Sequence, residues 1–347
     1  MGSILSTCHH LLQDGSIPQA GMLNNYVAKE GGPQLRLRVV WNPIRETAAA
    51  VLSPFRLTDE LLVEALDVQG LRNCQLLGLR HEQYILDCQA PPGHQLGHTP
   101  GGARCSIPKF VTRAKIGDAW YLLGMAALPE DRTMSNVKID ITDSKEVADY
   151  ALKFNAHLAK MDELANGGGH DGKSREEFGA SSSSVPRVLV CAPIACSVVE
   201  TPLPRMLGGR DNEVVSLTPY PDEDVSKFIF DGVLEEFQEV PQSFFHHAAC
   251  MSGGEELLFD LQGCEREEGE FLLVDPCIWR KPKKKGIKEL LSTAMADPEQ
   301  AEVGDLGVED RFGRLHRYCG PLCKTFDPDR RGPRAHRVCG LDTNCGL

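Results

Sequence analysis

The chain has 347 residues, a formal net charge of −12 and 13 cysteines. A chain of this length can bury a large core, either as one two-lobed domain or as two smaller domains. The acidic balance argues against nucleic acid as a general partner, because nucleic-acid binding needs a basic surface. No apolar run approaches the roughly 20 residues that a helix needs to span a bilayer. The scattered cysteines are typical of reduced thiols in a cytoplasmic protein, and the start lacks the apolar core of a secretory signal.

The first residues carry a lipidation pattern. Met1–Ser6 reads M-G-x-x-x-S, the pattern of N-myristoylation on Gly2, and Cys8 could carry a second acyl chain. A single acyl chain binds membranes only marginally, so membrane association would depend on the second chain. A cloning scar can imitate this pattern, and the alternative is an unmodified cytoplasmic protein. Residues 1–34 as a whole are predicted to form a flexible amino-terminal extension.

Residues 35–165 are predicted to form a small, strand-rich lobe. From Leu35 onward, short apolar runs alternate with turns, which is the pattern of buried strands. Residues 93–104 contain several glycines, which let backbone N–H groups approach a phosphate because glycine has no Cβ. A phosphate-binding loop and a plain turn are both consistent with this composition.

The segment that starts at Asp143 predicts a helix. Asp143-Ser-Lys-Glu146 has the Asp-x-x-Glu form of a helix start, with Asp143 as the N-cap. Apolar residues then recur at spacings of four and three, as expected for one helix face: Val147, Ala151, Phe154, Leu158 and Met161. The glycine- and serine-rich residues 166–185 are predicted to form a flexible loop.

The carboxyl-terminal half contains further predicted strands. Arg187–Glu200 is a continuous apolar run, as expected of a central strand. Glu256–Phe259 and Phe271–Val274 are short apolar runs bounded by glycine, proline and charge, which is typical of buried strands. The charged residues Glu265–Glu270 between them predict a loop.

Asp260 and Asp275 directly follow these two short strands. A carboxylate at the exit of a buried strand suits a metal ligand or a catalytic acid, and an ordinary turn residue is the alternative. A plain hairpin of the two runs would leave the carboxylates near opposite ends of the strand pair. Their spacing alone therefore does not predict that they converge.

A metal-ligand pattern follows near the end of the chain, where His316, Cys319 and Cys323 are spaced by three and four residues. These spacings place the side chains on one side of a helical turn, although Pro321 must end or kink that helix. Imidazole and thiolates suit zinc, whose structural sites have four ligands, so one more ligand must come from elsewhere. Two core cysteines and a surface histidine are the alternative.

The order F-x-H, SGGE-LL-x-DLQG, L-x-DP and H-x2-C-x3-C resembles the carboxyl lobe of the alpha-kinase family, with Val274 where that family prefers threonine. The resemblance extends over residues 93–326 and implies an α+β, bilobal kinase-like fold with a structural zinc site in the carboxyl lobe. That lobe would comprise residues 186–326, followed by a tail at 327–347. The matching motif residues are His246, Asp260, Gln262, Gly263, Asp275 and Pro276.

The resemblance implies an ATP-dependent serine/threonine protein kinase that acts on a protein substrate and uses Mg²⁺ and zinc. Asp260 takes the place of the catalytic carboxylate, while Gln262 and Asp275 take the places of the Mg²⁺ ligands. These roles suit phosphoryl transfer, which depends on positioning and charge neutralisation. The zinc ligands implied are His246, His316, Cys319 and Cys323. The nucleotide contacts implied are Gly102, Arg104, Thr218, Tyr220, Lys227, Gly304, Asp305 and Gly307.

The sequence departs from the family pattern in the amino lobe. Gly124 falls where the family has a lysine that contacts the nucleotide phosphates, and Thr218 stands in the place of a hinge glutamate. Arg104, Lys115 or Lys138 would then have to supply the cation. Lys138 is favoured because it directly precedes the predicted helix. The alternative hypothesis is a catalytically silent pseudokinase that acts as a zinc-stabilised interaction module.

Overall fold

The chain separates into two compact units. The computed structural model describes residues 26–43, 49–67, 109–126, 129–167, 185–202, 212–221, 223, 225–229, 238–259, 261–266, 269–280, 312–313, 315–316 and 319–332. The first unit takes its described residues from 1–80, 107–228 and 260–277, and the second from 81–106, 229–259 and 278–347. Strands and helices occur together, which confirms the α+β class. The predicted lobe boundaries stay a prediction.

The larger sheet of the first unit has eight strands, numbered in chain order. They are β1 Tyr26–Val27, β2 Leu35–Trp41, β4 Glu60–Val63, β5 Ala65–Asp67, β6 Lys109–Ile116, β7 Ala119–Ala126, β9 Ile194–Glu200 and β10 Val214–Pro219. Their spatial order is β1-β5-β6-β7-β10-β9-β2-β4. In β2, buried Leu35, Leu37 and Val39 alternate with exposed arginines, because successive side chains of a strand point to opposite faces.

This sheet curls back on itself through one stretch of chain. β4 pairs with β2, whereas β5, which begins two residues after β4 ends, pairs with β6. Glu64 between them donates its N–H to the carbonyl of Lys115 over 2.9 Å, so the pairing is nearly continuous. The concave face therefore encloses an apolar core, which includes Leu37, Leu61, Leu66, Ala114, Leu123, Met125, Ile194 and Leu217.

The smaller sheet of the first unit has five strands. They are β3 Ala50–Val51, β8 Arg187–Cys191, β11 Ser226–Ile229, β13 Leu261–Arg266 and β14 Glu270–Leu273, in the order β11-β13-β14-β8-β3. The predicted single strand over residues 187–200 is thus wrong, because it divides into β8 and β9, which belong to different sheets. Pro193 lies at the break and has no N–H to donate to a strand ladder.

Helix α1, Met134–Gly167, also belongs to the first unit and begins nine residues before the predicted start. The hydroxyl of Thr133 accepts the N–H of Asn136 at 3.3 Å, which is the hydrogen bond of a helix N-cap. Asp143 is therefore not a cap and lies inside the helix, only 2% exposed. Of the predicted apolar face, Val147, Ala151, Phe154 and Leu158 are buried, whereas Met161 is only half-buried.

The second unit contains helix α2 (Glu239–Met251), strand β12 (Glu256–Phe259), most of β15 (Cys277–Arg280) and helix α3 (Pro321–Lys324). β12 and β15 form a two-stranded sheet. α2 is followed by Gly253 and Gly254, whose φ angles of 62° and 78° favour glycine. Pro321 begins α3, where its missing N–H costs no hydrogen bond. Among the described helices, none combines the length and apolar character needed to span a bilayer.

Candidate functional site

The four predicted zinc ligands come together in the second unit. Their candidate ligand atoms all lie within 4.8 Å of one another. The Sγ of Cys319 is 3.8 Å from Nδ1 of His246, and the Sγ of Cys323 is 3.7 Å from Nε2 of His316. Tetrahedral zinc bonds would separate a nitrogen from a sulfur by about 3.6 Å. The geometry therefore fits a four-coordinate metal ion.

Local sequence explains how the two cysteines reach the same point. Pro321 starts α3 rather than ending a helix, so Cys319 precedes the helix and Cys323 lies in its first turn. Oε1 of Glu239 on α2 accepts the N–H of Leu322 at 2.9 Å and caps α3. A Cβ on Gly320 would lie 2.8 Å from the same oxygen, so glycine allows this close approach. The segment of residues 319–323 is thereby held against the helix that carries His246.

Each histidine of this cluster binds a second partner through its outer nitrogen. Nε2 of His246 lies 2.9 Å from Oδ2 of Asp327, and Nδ1 of His316 lies 3.0 Å from Oε1 of Gln242. Such partners orient metal-binding imidazoles. Sequence reasoning missed both residues, because neither forms part of a ligand-spacing pattern.

Burial controls the charge of the cluster. It lowers the pKa of His316 to about 3, with repulsion from His246 as a smaller cause, so this imidazole is neutral and can offer a lone pair. Burial also raises the pKa of the Cys323 thiol to about 12. Metal coordination would therefore have to displace the proton from Cys323, as metals do when they bind thiols.

An open cavity of about 390 Å³ lies beside the cluster. Cys319 is the one ligand of the four that is only half-buried, and it lines this cavity. A solute would therefore reach the cluster from the side of Cys319. The other described lining residues are His246, Phe312, His316, Pro321, Lys324, Arg330 and Gly332.

The first unit contains the motif that includes Gln262 and Asp275. β13 and β14 form an antiparallel hairpin, in which Val274 donates its N–H to the carbonyl of Gln262 over 2.9 Å. Asp275 follows at once with a φ of 48°, a left-handed conformation that is uncommon for aspartate. Gln262 and Asp275 therefore share the open end of the hairpin.

The predicted charged loop over residues 265–270 is wrong in extent. Glu265 and Arg266 end β13, and Glu270 begins β14, with Arg266 and Glu270 in an ion pair of 2.7 Å. The reason is that a further strand, β13, which the apolar pattern does not predict, begins directly after position 260 and includes the first residues of this segment. Asp260 itself lies outside the described residues.

The backbone geometry at Gly263 explains why the D-L-Q-G motif ends in glycine. Its φ is 155°, and an added Cβ would overlap the carbonyl oxygen of Leu272 on the neighbouring strand. The side chain of Gln262 is fully buried, and neither atom of its amide has a hydrogen-bond partner in the part of the chain that the structure describes. An orphaned buried amide costs about 1–3 kcal/mol, so it is expected where a ligand supplies the partner. Amide and carboxylate oxygens suit Mg²⁺, which fits Gln262 and Asp275.

A small cavity of about 20 Å³ lies at Gly124, on the convex face of the larger sheet. Its polar lining residues are Asp140, Ser216, Thr218 and Asp275, and no described lining residue is basic. The volume is about that of one water molecule. The cavity brings the predicted residues Thr218 and Asp275 together beside the lysine position of the family pattern. Its apolar lining residues are Val111, Leu122, Pro193 and Val274.

Of the cations proposed to replace that lysine, Lys115 and Lys138 do not line this cavity, and Arg104 lies outside the described residues. The exposed Lys138 places its Nζ 5.2 Å from the ring centre of Trp41. Val111, not Lys115, is the strand partner of Gly124. Lys115 lies four residues further along β6, which places its backbone about 13 Å from that of Val111. Arg113, which sequence reasoning missed, lies on the same strand face as Val111 and donates to the carbonyl of Glu223 at 2.9 Å.

Of the remaining predicted residues, two lie within the part of the chain that the structure describes. Tyr220 is buried directly after β10, and Lys227 lies in β11, where only its backbone is described. The others lie outside the described residues, namely Gly2, Cys8, Gly102, Arg104, Gly304, Asp305 and Gly307.

Comparison with known proteins identifies the family. A model of the alpha-kinase family matches residues 131–323, which is more than half of the chain. Solved alpha-kinase domains of myosin-II heavy chain kinase A are similar. One with a phosphorylated aspartate has 13% identity over 87% of this chain and 98% of that chain, with a TM-score of 0.42. A complex with AMP-PNP has 12% identity over 86% and 97%, with a TM-score of 0.44. No curated protein matches the chain. The chain belongs to the alpha-kinase family.

Proposed function

We propose that this chain is an ATP-dependent protein kinase that transfers phosphate to serine or threonine side chains of a protein substrate, with Mg²⁺ as cofactor. The observation that carries the proposal is the arrangement of Gln262 and Asp275 at the open end of one hairpin. A buried amide without a described partner and an aspartate in a left-handed conformation are both costly for a purely structural site. They are expected where a bound group compensates the cost.

In this proposal each side chain has a limited task. Phosphoryl transfer requires positioned groups and neutralised charge more than covalent chemistry. The amide oxygen of Gln262 and the carboxylate of Asp275 would hold Mg²⁺, which supplies positive charge to the phosphates when bound. Asp260 would orient the acceptor hydroxyl and accept its proton. Thr218 and Tyr220 would contact the adenine side of the nucleotide, with Gly102, Arg104, Lys227, Gly304, Asp305 and Gly307 as further contacts.

We further propose that zinc holds the second unit together through His246, His316, Cys319 and Cys323. The support is the ligand cluster itself and the partners at the outer nitrogens of both histidines. A structural zinc ion contributes its binding free energy to folding, so the unit would depend on it.

The second candidate function is a pseudokinase that acts as an interaction module. The cavity at Gly124 favours it, because the lining includes Asp140 and Asp275 but no described basic residue. Nucleotide phosphates would be repelled there unless a cation is supplied from elsewhere. This candidate shares the zinc site but predicts no phosphate transfer.

A thermal-shift experiment with Mg²⁺-ATP tests nucleotide binding. We expect the wild type to gain stability by mass action, about 2.7 kcal/mol at a ligand concentration 100 times the Kd. Gln262→Leu should unfold at a higher temperature than the wild type without ligand, because it removes an orphaned amide, yet it should lose most of the gain from Mg²⁺-ATP. An unchanged gain in this variant would refute the assignment of Gln262.

A further inference from the structure

A buried carboxylate lies at the centre of the turn that follows the last metal ligand. Asp327 is 1% exposed, and both of its oxygens accept hydrogen bonds. Oδ1 accepts the N–H of Arg331 at 2.8 Å, while Oδ2 accepts the N–H of Gly332 at 2.7 Å and contacts Nε2 of His246 at 2.9 Å. The turn Asp327–Gly332 is thus wrapped around a single carboxylate.

The chemistry of this contact sets the tautomer of His246. Both oxygens of Asp327 act as acceptors for backbone N–H groups, so the contact with His246 is a hydrogen bond when Nε2 carries the proton and donates to Oδ2. Nδ1 then carries the lone pair, and Nδ1 is the atom that lies 3.8 Å from the Sγ of Cys319. The ring is also fixed by edge contacts with Phe312 and Phe326, whose ring centres are 5.0 and 5.3 Å away.

We infer that Asp327 is the positioning residue of the metal centre, which holds His246 so that it binds the metal through Nδ1. His316 is held in the opposite sense, because Oε1 of Gln242 accepts a hydrogen bond from the N–H at Nδ1, which leaves the lone pair of Nε2 for the metal. The two histidines therefore bind through different nitrogens. This inference rests on the proposed zinc site and extends it to a residue outside the ligand set.

A competing arrangement uses the same atoms. His246, Cys250 and Asp327 also lie close enough to hold a metal ion. In that arrangement Nε2 of His246 would be a ligand and could not carry a proton. The hydrogen bonds decide against it, since Asp327 already accepts backbone N–H groups through both oxygens and the thiol of Cys250 donates to the carbonyl of Gly332 at 3.1 Å.

The turn itself is shaped for this role. Arg330 and Gly332 have φ angles of 55° and 58°, which bend the backbone back over the carboxylate. A Cβ on Gly332 would lie 3.1 Å from a ring carbon of Phe312, so glycine lets the turn close on the aromatic packing around His246. The turn therefore belongs to the metal centre, although it lies beyond Cys323, the last ligand.

The experiment uses the full chain loaded with zinc. Nuclear magnetic resonance of the histidine ring nitrogens should show His246 bound through Nδ1 with a proton on Nε2, and His316 bound through Nε2. Competition with a chromogenic chelator should show that D327N binds zinc about 10- to 100-fold more weakly. D329N is the matched control, because it removes the same charge from an exposed position of the same turn. Its zinc affinity should equal that of the wild type.

Each outcome decides a separate point. Zinc bound to His246 through Nε2, or wild-type zinc affinity in D327N, overturns the inference and leaves the zinc proposal standing. A wild type that binds no zinc overturns both. If D327N fails to fold, the resonance assignment in the wild type still decides, because it needs no variant.

Discussion

The hydroxyl of Ser216 occupies the space in which a side chain on Gly124 would begin. It donates to the carbonyl of Gly124 over 3.2 Å, and an ideal Cβ on Gly124 would lie 2.5 Å from Oγ but 3.9 Å from Cβ of Ser216. The two residues face each other across β7 and β10. A lysine at position 124 is therefore obstructed by one oxygen atom.

This relationship predicts the behaviour of a designed pair of variants. Gly124→Lys alone should lower the melting temperature, because its Cβ meets Oγ of Ser216. Gly124→Lys combined with Ser216→Ala should restore it and increase the stabilisation by Mg²⁺-ATP, since a cation would enter a cavity lined by Asp140 and Asp275. A charged hydrogen bond of about 2 kcal/mol corresponds to roughly 30-fold in affinity. Equal ATP affinity in the wild type and the double variant would contradict the assignment of this cavity to the nucleotide site.

Arg113 and Lys138 are two candidates for the cation that contacts the nucleotide phosphates. The sequence favours Lys138, but its ammonium lies over Trp41, whereas Arg113 lies on the strand face that includes Val111 of the cavity lining. We expect Arg113→Ala to reduce the Mg²⁺-ATP-induced shift in melting temperature, measured against its own ligand-free form. Lys138→Ala should leave that shift unchanged. The reverse result would restore Lys138 as the nucleotide cation.

Gly263 should be the least replaceable glycine of the hairpin motif. Gly263→Ala would place Cβ on the carbonyl oxygen of Leu272, so we expect a loss of more than about 3 kcal/mol in the free energy of unfolding. Gly117→Ala is the control, because Gly117 also has a positive φ, 58°, but has no atom within 4 Å of an added Cβ. Its loss should be limited to about 1–2 kcal/mol. If chemical denaturation shows similar losses of unfolding free energy for the two variants, the backbone around Gly263 relaxes easily and the prediction is wrong.

Two buried cysteines distinguish metal ligation from packing. Cys323→Ser should reduce bound zinc well below one ion per chain and lower the melting temperature, because thiolate is the ligand that zinc prefers here. Cys250→Ser is the matched control, since Cys250 is equally buried but donates to a backbone carbonyl. It should keep its zinc. Metal analysis by mass spectrometry checks both, and full zinc occupancy in the Cys323 variant would exclude this ligand set.

The sequence predicts the metal cluster well because its ligands are chemically distinctive and three of them are close in the chain. Asp327 is not predictable in this way. Its partners are a histidine 81 positions earlier and two backbone N–H groups that face it only once the turn has formed. Residue type and sequence spacing do not predict such a contact.

The first unit shows where local patterns mislead. Asp143 resembles a helix cap, but Thr133 supplies the cap, and α1 begins directly after Thr133 and continues through Asp143. Lys138 is two residues from Asp140, which lines the cavity, yet its ammonium lies over the ring of Trp41 at the end of strand β2. In each case a tertiary contact, which the sequence pattern does not express, decides the outcome.

The proposed activity is transfer of the γ-phosphate of ATP to a protein hydroxyl. The most direct measurement is transfer from radiolabelled ATP, with Mg²⁺, to a generic basic protein substrate by the purified chain. We expect transfer by the wild type and by Asp118→Ala, which removes an exposed turn carboxylate, and a loss of at least about 100-fold in Asp275→Ala. If transfer by the wild type does not exceed that by Asp275→Ala, the proposed kinase activity is wrong and the pseudokinase function remains.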